Sequence, residues 1–564
     1  MQRVDAIEAA PSRLAKAADS LHGLALACVL AAGAALLFAG LGNRDFWPPD
    51  EPRYGAIAEE LRSFAHGPRG LVLLHLNGAV YTQKPPLFFW LAALVGAPVG
   101  RVSEAAARLP SALAGFATLL LVAGLARSMF RARSGALAAA VLLTLPSWLQ
   151  LARSARLDAL LTAFVTLAFA AAWRLDRELG DPHRNRLLLH AAIGLGVLTK
   201  GPVALLLPLL GVAAYLGWER RLFDMRRFVS APGLLLSVAP GLAWLASASL
   251  LAPEGYANAS LWDNVILRFF SGTAHAQPVW FYLEALPRGF LPWTLLWPVV
   301  WWRYRTSLRE SARGAADTRA WRFLLASIGA ALVFFSLSAG KRGLYLLPLH
   351  PLLAIACGEA LAAWLDDGGG VPRWLRRSLP AAAGAVVLAG LGSLVFGHVG
   401  EVELPASFGL LLAGGAASAL LAERALRRHA RQRIAFVAAG LGLLFAVELA
   451  VHVGLYPALD ARNSQRAIAE LASAATPDGG AIAVYGNGTL AAAVAYYTGR
   501  PVRELRAARE AAAFFAEGGA AIVIEDEHLA ELGRTPPLRE VGQGRSRQRR
   551  FLVMAPEVRA ADAR

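Results

Sequence analysis

The sequence predicts an all-α polytopic membrane protein that carries a small α/β domain at its C-terminal end. Three observations predict it. The 564-residue chain is 56% hydrophobic and only 17% charged. Its apolar runs repeatedly approach or exceed the roughly 18 residues that mark a membrane span. After about residue 456 the pattern changes, with short β-branched runs alternating with alanine-rich helical stretches.

Taken in order, the apolar runs place thirteen spans near 22 to 42, 106 to 126, 135 to 151, 157 to 173, 187 to 199, 202 to 218, 228 to 251, 286 to 302, 323 to 338, 344 to 364, 379 to 397, 406 to 422 and 434 to 455. Residues 1–21 carry acids and no small-residue cleavage site follows the first apolar run, so the first segment is expected to stay as a span. The formal charge of +16 comes mostly from arginines clustered between apolar segments, a topology signal rather than a nucleic-acid surface. With a cytoplasmic N-terminus every inside loop is arginine-rich, for example Arg127, Arg131 and Arg133, or Arg373, Arg376 and Arg377. The organisation expected is a cytoplasmic segment 1–21, a transmembrane domain 22–455 with a first outer loop 43–105 and a large outer loop 252–285, and an outer α/β domain 456–564. Within the first loop, 85 to 100 is too short to span and reads as an interfacial helix started by Pro85 and Pro86. In the tail, AIAVYG, PVREL, AAIVIED and RFLVMAP read as strands.

This topology gathers the polar residues that interrupt apolar patterns at one face. Asp50 and Glu51 lie in the first outer loop, Lys84 leads the interfacial helix, Asp158 opens the fourth span, and Lys200 joins the fifth and sixth. Arg268 and His275 lie in the large outer loop, and Lys341, Arg342, Tyr345 and His350 in a late outer turn. Ionisable residues at a membrane are costly enough to be functional candidates. The basic set Lys84, Lys200, Arg268, Lys341 and Arg342 suits a phosphate, and Asp50 and Asp158 suit a general base or the partner of a cationic group. Bland readings stand beside these. The Asp50-Glu51 pair also fits the cap of a helix starting near Pro52, Lys84 and Lys200 fit snorkelling to head groups, and Tyr345 fits an aromatic belt. No cofactor is required by the sequence, and a divalent metal has no support from any histidine or carboxylate spacing. The cysteines, Cys28 and Cys357, sit inside apolar segments and form no disulfide framework.

The ordered motifs FWPPDEPRYGAIAEEL, QKPPLFFWL, ARLDALLT, LTKGPVALLLP and FFSLSAGKRGLYLLPLHPLLA, across about residues 40 to 365, resemble those of bacterial lipid A aminoarabinose transferases, and more broadly the protein O-mannosyltransferase superfamily with the GT-C fold. The resemblance implies a polyprenyl-phosphate-linked sugar donor, lipid A or another envelope glycan or protein as acceptor, thirteen spans, and a periplasmic active site in the bacterial inner membrane. Carried over, the acidic loop motif falls on Asp50 with Glu51, the lysine motif on Lys84, the second acid on Asp158, the phosphate-binding arginine on Arg268 and the late tyrosine on Tyr345. The late motif usually reads Gly-Lys-Leu-Pro-Thr-Tyr, whereas here it runs Gly340-Lys341-Arg342-Gly343-Leu344-Tyr345. The acids Asp50, Glu51 and Asp158 would serve a sugar ammonium, while Arg342 equally favours an acidic sugar or acceptor.

The expected reaction is a single displacement in which a polyprenyl phosphate leaves, its charge held by Lys84, Arg268 and Tyr345, while an acceptor positioned by Asp50 or Asp158 attacks. Two alternatives keep the fold: a protein O-mannosyltransferase, and a hexose or uronic acid transferase to lipopolysaccharide core. A lipid-linked sugar flippase is the alternative of another class, although transporters place ionisable residues near the midplane in repeated halves.

Overall fold

A helix occupies every one of the thirteen apolar segments, as it must where no water is present to satisfy backbone N–H and C=O groups. The computed structural model describes residues 22–271, 275–312, 318–367, 370–399, 402–429, 432–532 and 537–557. The first helix, α1, is His22–Phe38. The first loop contributes α2 (Glu51–Arg62) and α3 (Leu87–Gly96), and then come α4 (Glu104–Met129), α5 (Ala132–Leu143), α6 (Pro146–Ala152), α7 (Leu157–Asp176), α8 (Pro182–Lys200) and α9 (Val203–Trp218). Later long helices include Ala231–Leu251, Trp297–Ala312, Arg319–Leu337, His350–Asp366, Arg373–Phe396, Ala406–His429 and Gln432–Leu449. Among the described residues eight helices are long and apolar enough to cross a membrane, or nine if α5 and α6 form one broken span. The chain is a mostly helical, multi-pass membrane protein.

Three segments differ in form from the sequence expectation. The run 135 to 151 bends by 75° between α5 and α6, where Leu145 turns extended and Pro146, lacking an amide donor, opens the new helix. The run 286 to 302 is divided into Phe281–Gly289, a 3₁₀ turn Trp293–Leu296 and the helix from Trp297, in a stretch rich in proline (Pro287, Pro292 and Pro298). The run 187 to 199 belongs to a longer helix, α8, whose first turn is polar and therefore silent in hydropathy. Pro182 sits at its start, and Asp181 accepts from the amides of His183 and Arg184.

Small residues let the helices approach closely, the usual device when lipid supplies no hydrophobic drive between them. A methyl added at Gly358 would lie 2.6 Å from the Ala138 amide nitrogen on α5. At the end of α5 where its chain begins, Glu359 is fully buried and accepts from Arg131 Nη2 at 2.9 Å and Ser134 Oγ at 2.6 Å. Arginines that read as topology signals thus also tie helices together.

Two short hairpins, β1 (His75–Leu76) with β2 (Ala79–Val80) and β3 (His398–Val399) with β4 (Val402–Glu403), lie in loops. The C-terminal domain is a five-stranded mixed sheet of β5 (Ile482–Tyr485), β6 (Val502–Leu505), β7 (Ala521–Glu525), β8 (Leu538–Ser546) and β9 (Arg549–Pro556), in the order β6-β5-β7-β9-β8. The first three pair in parallel, and β9 and β8 add antiparallel. The central β5 and β7 are buried along their whole length and read as continuous apolar runs. Strand β8, LREVGQGRS, is absent from the expected set because an edge strand exposed on most positions needs no apolar alternation.

This domain is bonded to the first loop. The Asp45 amide and Trp47 Nε1 donate to Asp460 at 2.7 and 2.6 Å. The Phe46 amide donates to Tyr497 at 2.8 Å, and Asn77 exchanges hydrogen bonds with the Val502 backbone. Tyr496 and Tyr497 join the aromatic core of Phe46, Tyr54, Phe88 and Phe89 beneath α2 and α3.

Candidate functional site

Asp158 and Lys200 lie 42 residues apart and meet because α7 and α8 run antiparallel as neighbours. Asp158 occupies the first turn of α7 and Lys200 the last residue of α8, so each sits at the helix end whose dipole favours its charge. Lys200 Nζ donates to Asp158 Oδ1 at 2.5 Å. Gly201, at φ +82°, stops α8 in a conformation that glycine adopts without strain, and Pro202 precedes α9. Tyr345 lies in a 3₁₀ segment, Gly343–Leu349, that packs on α7, and Lys200 Nζ stands 5.1 Å from its ring centroid, within cation–π range.

Lys84, Asp158, Lys200 and Tyr345 line the head of a cavity of about 400 Å³ whose remaining walls are largely apolar, including Leu161, Val203, Leu206, Phe269 and Phe334. Lys84, Lys200, Pro202 and Asn264 also border a smaller cavity of about 190 Å³ that continues past Trp244 and Leu245. The two form a groove with apolar walls and two ammonium groups at its head, the shape and charge of an amphiphile with an anionic end.

A second cavity of about 350 Å³, with a mixed polar and apolar lining, adjoins the first at Leu344; Arg44, Glu51, Arg156, Leu346, His350 and Arg547 are among its walls. Asp50 stands beside the second cavity, paired with one of its arginines. Its Oδ2 lies 3.2 Å from Arg156 of that cavity and 3.9 Å from Arg342, which precedes the Tyr345 turn. Asp50 occupies the N-cap position of α2 but makes no side-chain capping bond, so the capping reading gives way to an ion pair across the site.

Glu51 has a different environment from its neighbour. It is 2% exposed and receives Arg44 Nη1 at 2.6 Å, Arg108 Nε at 2.9 Å, the Trp47 amide at 3.0 Å and the Ala155 amide at 2.9 Å. Burial alone would raise its carboxyl, but Arg108 and then Arg44 outweigh burial and hold it well below the usual carboxylate range. Arg108, fully buried, also donates to the carbonyls of Leu41, Arg44 and Asp45. Arg44 of the first loop and Arg108 of α4 therefore compensate an internal acid.

Lys341, expected among the phosphate-binding cations, has another task. Its Nζ donates to the carbonyls of Gln277 and Ser338, and its amide bonds the His275 carbonyl at 2.9 Å, which fastens the large outer loop to the late turn. Burial lowers its pKa. Arg268 opens a short helix, Arg268–Phe270, and its side chain lies outside the described residues. Among the described residues the one carboxylate-histidine triad spaced for a cation is Glu525, Glu527 and His528, in the C-terminal domain.

Sequence reasoning did not single out Arg156, Asp460 or Arg547 as site or anchor residues. Arg156 stands in the quoted ARLDALLT run two residues before Asp158 and carried a signal. Asp460 and Arg547 carried none, because their partners are brought to them only by docking of the C-terminal domain.

The fold has solved counterparts. It is shared with ArnT from Cupriavidus metallidurans, solved bound to undecaprenyl phosphate, with a TM-score of 0.73 over 93% of this chain and 97% of that one at 23% identity. The archaeal oligosaccharyltransferase AglB from Archaeoglobus fulgidus has the same general architecture, with a TM-score of 0.51 over 90% of this chain and 70% of that one at 13% identity. In sequence, residues 83–244 match the family described as dolichyl-phosphate-mannose-protein mannosyltransferase. The chain is 32% identical over 374 residues to undecaprenyl phosphate-alpha-4-amino-4-deoxy-L-arabinose arabinosyl transferase 1 of Pseudomonas fluorescens, covering 65% of this chain and 61% of that protein. The counterpart from Pseudomonas aeruginosa is 33% identical over 340 residues, covering 59% of this chain and 58% of its own length. The matched region thus spans about three fifths of these relatives.

Proposed function

We propose that this protein is a membrane glycosyltransferase that moves a sugar, aminoarabinose or a close analogue, from a polyprenyl-phosphate donor to lipid A at the periplasmic face of a bacterial inner membrane. The single observation that carries this reading is the paired geometry of the site. An apolar groove lined by Lys84, Lys200 and Tyr345 adjoins an arginine-rich cavity whose Arg156 pairs with Asp50. The sequence likeness to undecaprenyl-phosphate-aminoarabinose transferases supports the choice of donor. The reading includes thirteen spans, a transmembrane domain over 22–455 and a periplasmic domain over 456–564.

In the mechanism, the polyprenyl chain lies in the groove and its phosphate meets Lys84, Lys200 and Tyr345. An acceptor oxygen in the arginine-rich cavity attacks the anomeric carbon from the face opposite the phosphate. The bond from that carbon to the phosphate oxygen breaks, and polyprenyl phosphate departs with the electron pair. Preorganised cations stabilise the charge that grows on the leaving oxygen. Asp158, paired with Lys200, orients that ammonium. Asp50, flanked by two guanidinium groups, suits an acceptor that arrives already ionised, because a phosphate needs no proton removed. Glu51 holds the first loop and Lys341 the late turn, in place of the direct roles expected from sequence.

The test is reconstitution of the purified protein with undecaprenyl-phosphate aminoarabinose and lipid A, read by mass spectrometry. Glycosylated lipid A with release of undecaprenyl phosphate is the expected result. Transfer of a hexose to protein, with lipid A untouched, would replace this reading by the protein O-mannosyltransferase one, and donor crossing the bilayer without turnover would replace it by a flippase.

A further inference from the structure

The side chain of Asp50 is not held by its own helix. It occupies the N-cap position of α2, makes no capping bond, and follows Pro48 and Pro49, which have no amide to give. Its placement against Arg156 and Arg342, at 3.2 and 3.9 Å, therefore depends on what holds the chain just before it. That hold is visible in the partners of the backbone polar groups from Asp45 to Pro48.

The Asp45 amide donates to Asp460 Oδ2 at 2.7 Å and the Phe46 amide to the Tyr497 hydroxyl at 2.8 Å, while Arg547 donates to the Pro48 carbonyl. The Trp47 amide goes to Glu51 at 3.0 Å. Two of the three amides in this stretch thus end on the C-terminal domain. Side chains are held the same way: Trp47 Nε1 donates to Asp460 Oδ1 at 2.6 Å, Ser464 Oγ donates to Asp45 Oδ2 at 2.8 Å, and Arg466 lies 3.1 Å from Asp45 Oδ1. Other junction contacts reach elsewhere. Tyr496, beside Tyr497 on the helix Gly488–Thr498, donates to the Val102 carbonyl at 2.7 Å, and Asn77 bonds the Val502 backbone. Attachment of the domain and bracing of the acidic loop are therefore separable.

We infer that Asp460 and Tyr497 are positioning residues for the transfer reaction: the C-terminal domain uses them to hold the backbone of residues 45–47 and through it sets Asp50 against Arg156 and Arg342. The inference rests on the proposed function and deepens it, because it gives the C-terminal domain a part in the chemistry. Neither Asp460 nor Tyr497 lines the groove or the arginine-rich cavity, so both act through the loop. Bonds to backbone groups fix the path of the chain itself, and a displacement of about 1 Å in a group that orients a reactant can cost about 100-fold in rate. The donor groove is built by Lys84, Lys200 and Tyr345 on other elements, so donor binding is independent of this brace.

The experiment compares adjacent tyrosines. Tyr497→Phe and Tyr496→Phe each delete one hydroxyl at the domain junction, the first bonded to the acidic loop and the second to Val102. With purified full-length protein, undecaprenyl-phosphate aminoarabinose and lipid A, Tyr497→Phe should lower kcat by about 10-fold, within the range for a slightly misplaced group. Its donor KM and its affinity for undecaprenyl phosphate should stay at wild-type values, and its Tm should fall no further than that of Tyr496→Phe. Tyr496→Phe should keep the wild-type kcat. Asp460→Ala should lose more kcat than Asp460→Asn, which retains one acceptor oxygen for the two donors. A readout independent of turnover comes from Asp50→Cys in a chain whose Cys28 and Cys357 are replaced by alanine: its labelling rate with a charged, water-soluble thiol reagent should change several-fold when Tyr497→Phe is added and stay constant when Tyr496→Phe is added. Equal kcat losses in the two tyrosine variants, a loss of Tm or donor affinity confined to Tyr497→Phe, or wild-type kcat and labelling rate in Tyr497→Phe overturns the inference. Wild-type protein that does not turn over this donor counts instead against the proposed function, and the labelling comparison then decides the positioning by itself.

Discussion

Replacing Glu51 with glutamine distinguishes a framework acid from a catalytic one. The substitution keeps size and shape but removes a charge that Arg44 and Arg108 were placed to meet, with Arg108 fully buried. Breaking a buried pair by neutralising one partner costs about 3–5 kcal/mol, because the remaining cation stays out of water. The two amides that donate to Glu51, from Trp47 and Ala155, would keep only one amide oxygen between them. That cost is a large part of the roughly 5–15 kcal/mol by which most domains are stable. The assay is thermal unfolding of the purified protein in detergent, with turnover normalised to the folded fraction. Glu51→Gln should lower Tm by several degrees while the molecules that remain folded keep a measurable rate. The pH dependence has a definite sign. Because the Glu51 carboxyl is held below its ordinary value of 4.5, its contribution is present in full above that pH and fades as pH falls below it. The Tm difference between wild type and Glu51→Gln should therefore narrow below about pH 4.5. A variant with wild-type Tm and no turnover would refute the argument and return Glu51 to the catalytic set.

Lys84→Ala and Asp158→Ala should each lower sugar transfer by about 100-fold to 1,000-fold, the usual loss for one preorganised donor or its positioning partner, while the protein still inserts and accumulates; near-normal rates in either purified variant would count against the groove as the donor site. Asp460→Ala leaves the Asp45 amide and Trp47 Nε1 without their acceptor, a loss of about 1–3 kcal/mol, and should speed limited proteolysis near residues 459–465 and hydrogen exchange at Asp45 and Phe46. Unchanged exchange would show that the junction rests on other contacts. Gly358→Ala forces a methyl against the α5 backbone at Ala138 and should destabilise the bundle by about 1–3 kcal/mol, seen as a lower Tm; an unchanged Tm would mean that the helices separate without penalty.

Much of this protein is written along the chain. Hydropathy alone located the helices, since lipid leaves a backbone no other way to bond, and its errors fell where proline interrupts a run or where a polar turn extends one, as at Pro146 and Pro182. The buried strands β5 and β7 were legible from unbroken apolar runs, whereas the exposed edge β8 was not. The sequence also gathered Asp50, Lys84, Asp158, Lys200 and Tyr345 at one expected face, and the last four line one cavity.

What it could not assign was the difference between neighbours. Asp50 and Glu51 are adjacent and chemically alike, yet one faces Arg156 across the site and the other is enclosed by Arg44, Arg108 and two amides. Lys200 and Lys341 both follow apolar helices, but one ammonium heads a groove and the other is spent on two backbone carbonyls. Periodicity determines which residues are helical and which end of the bundle they reach. Only packing of separate elements decides which way a side chain points and what compensates its charge, and the approach of Asp460 and Arg547 to the acidic loop, across more than 400 residues of chain, exists only once the two domains have met.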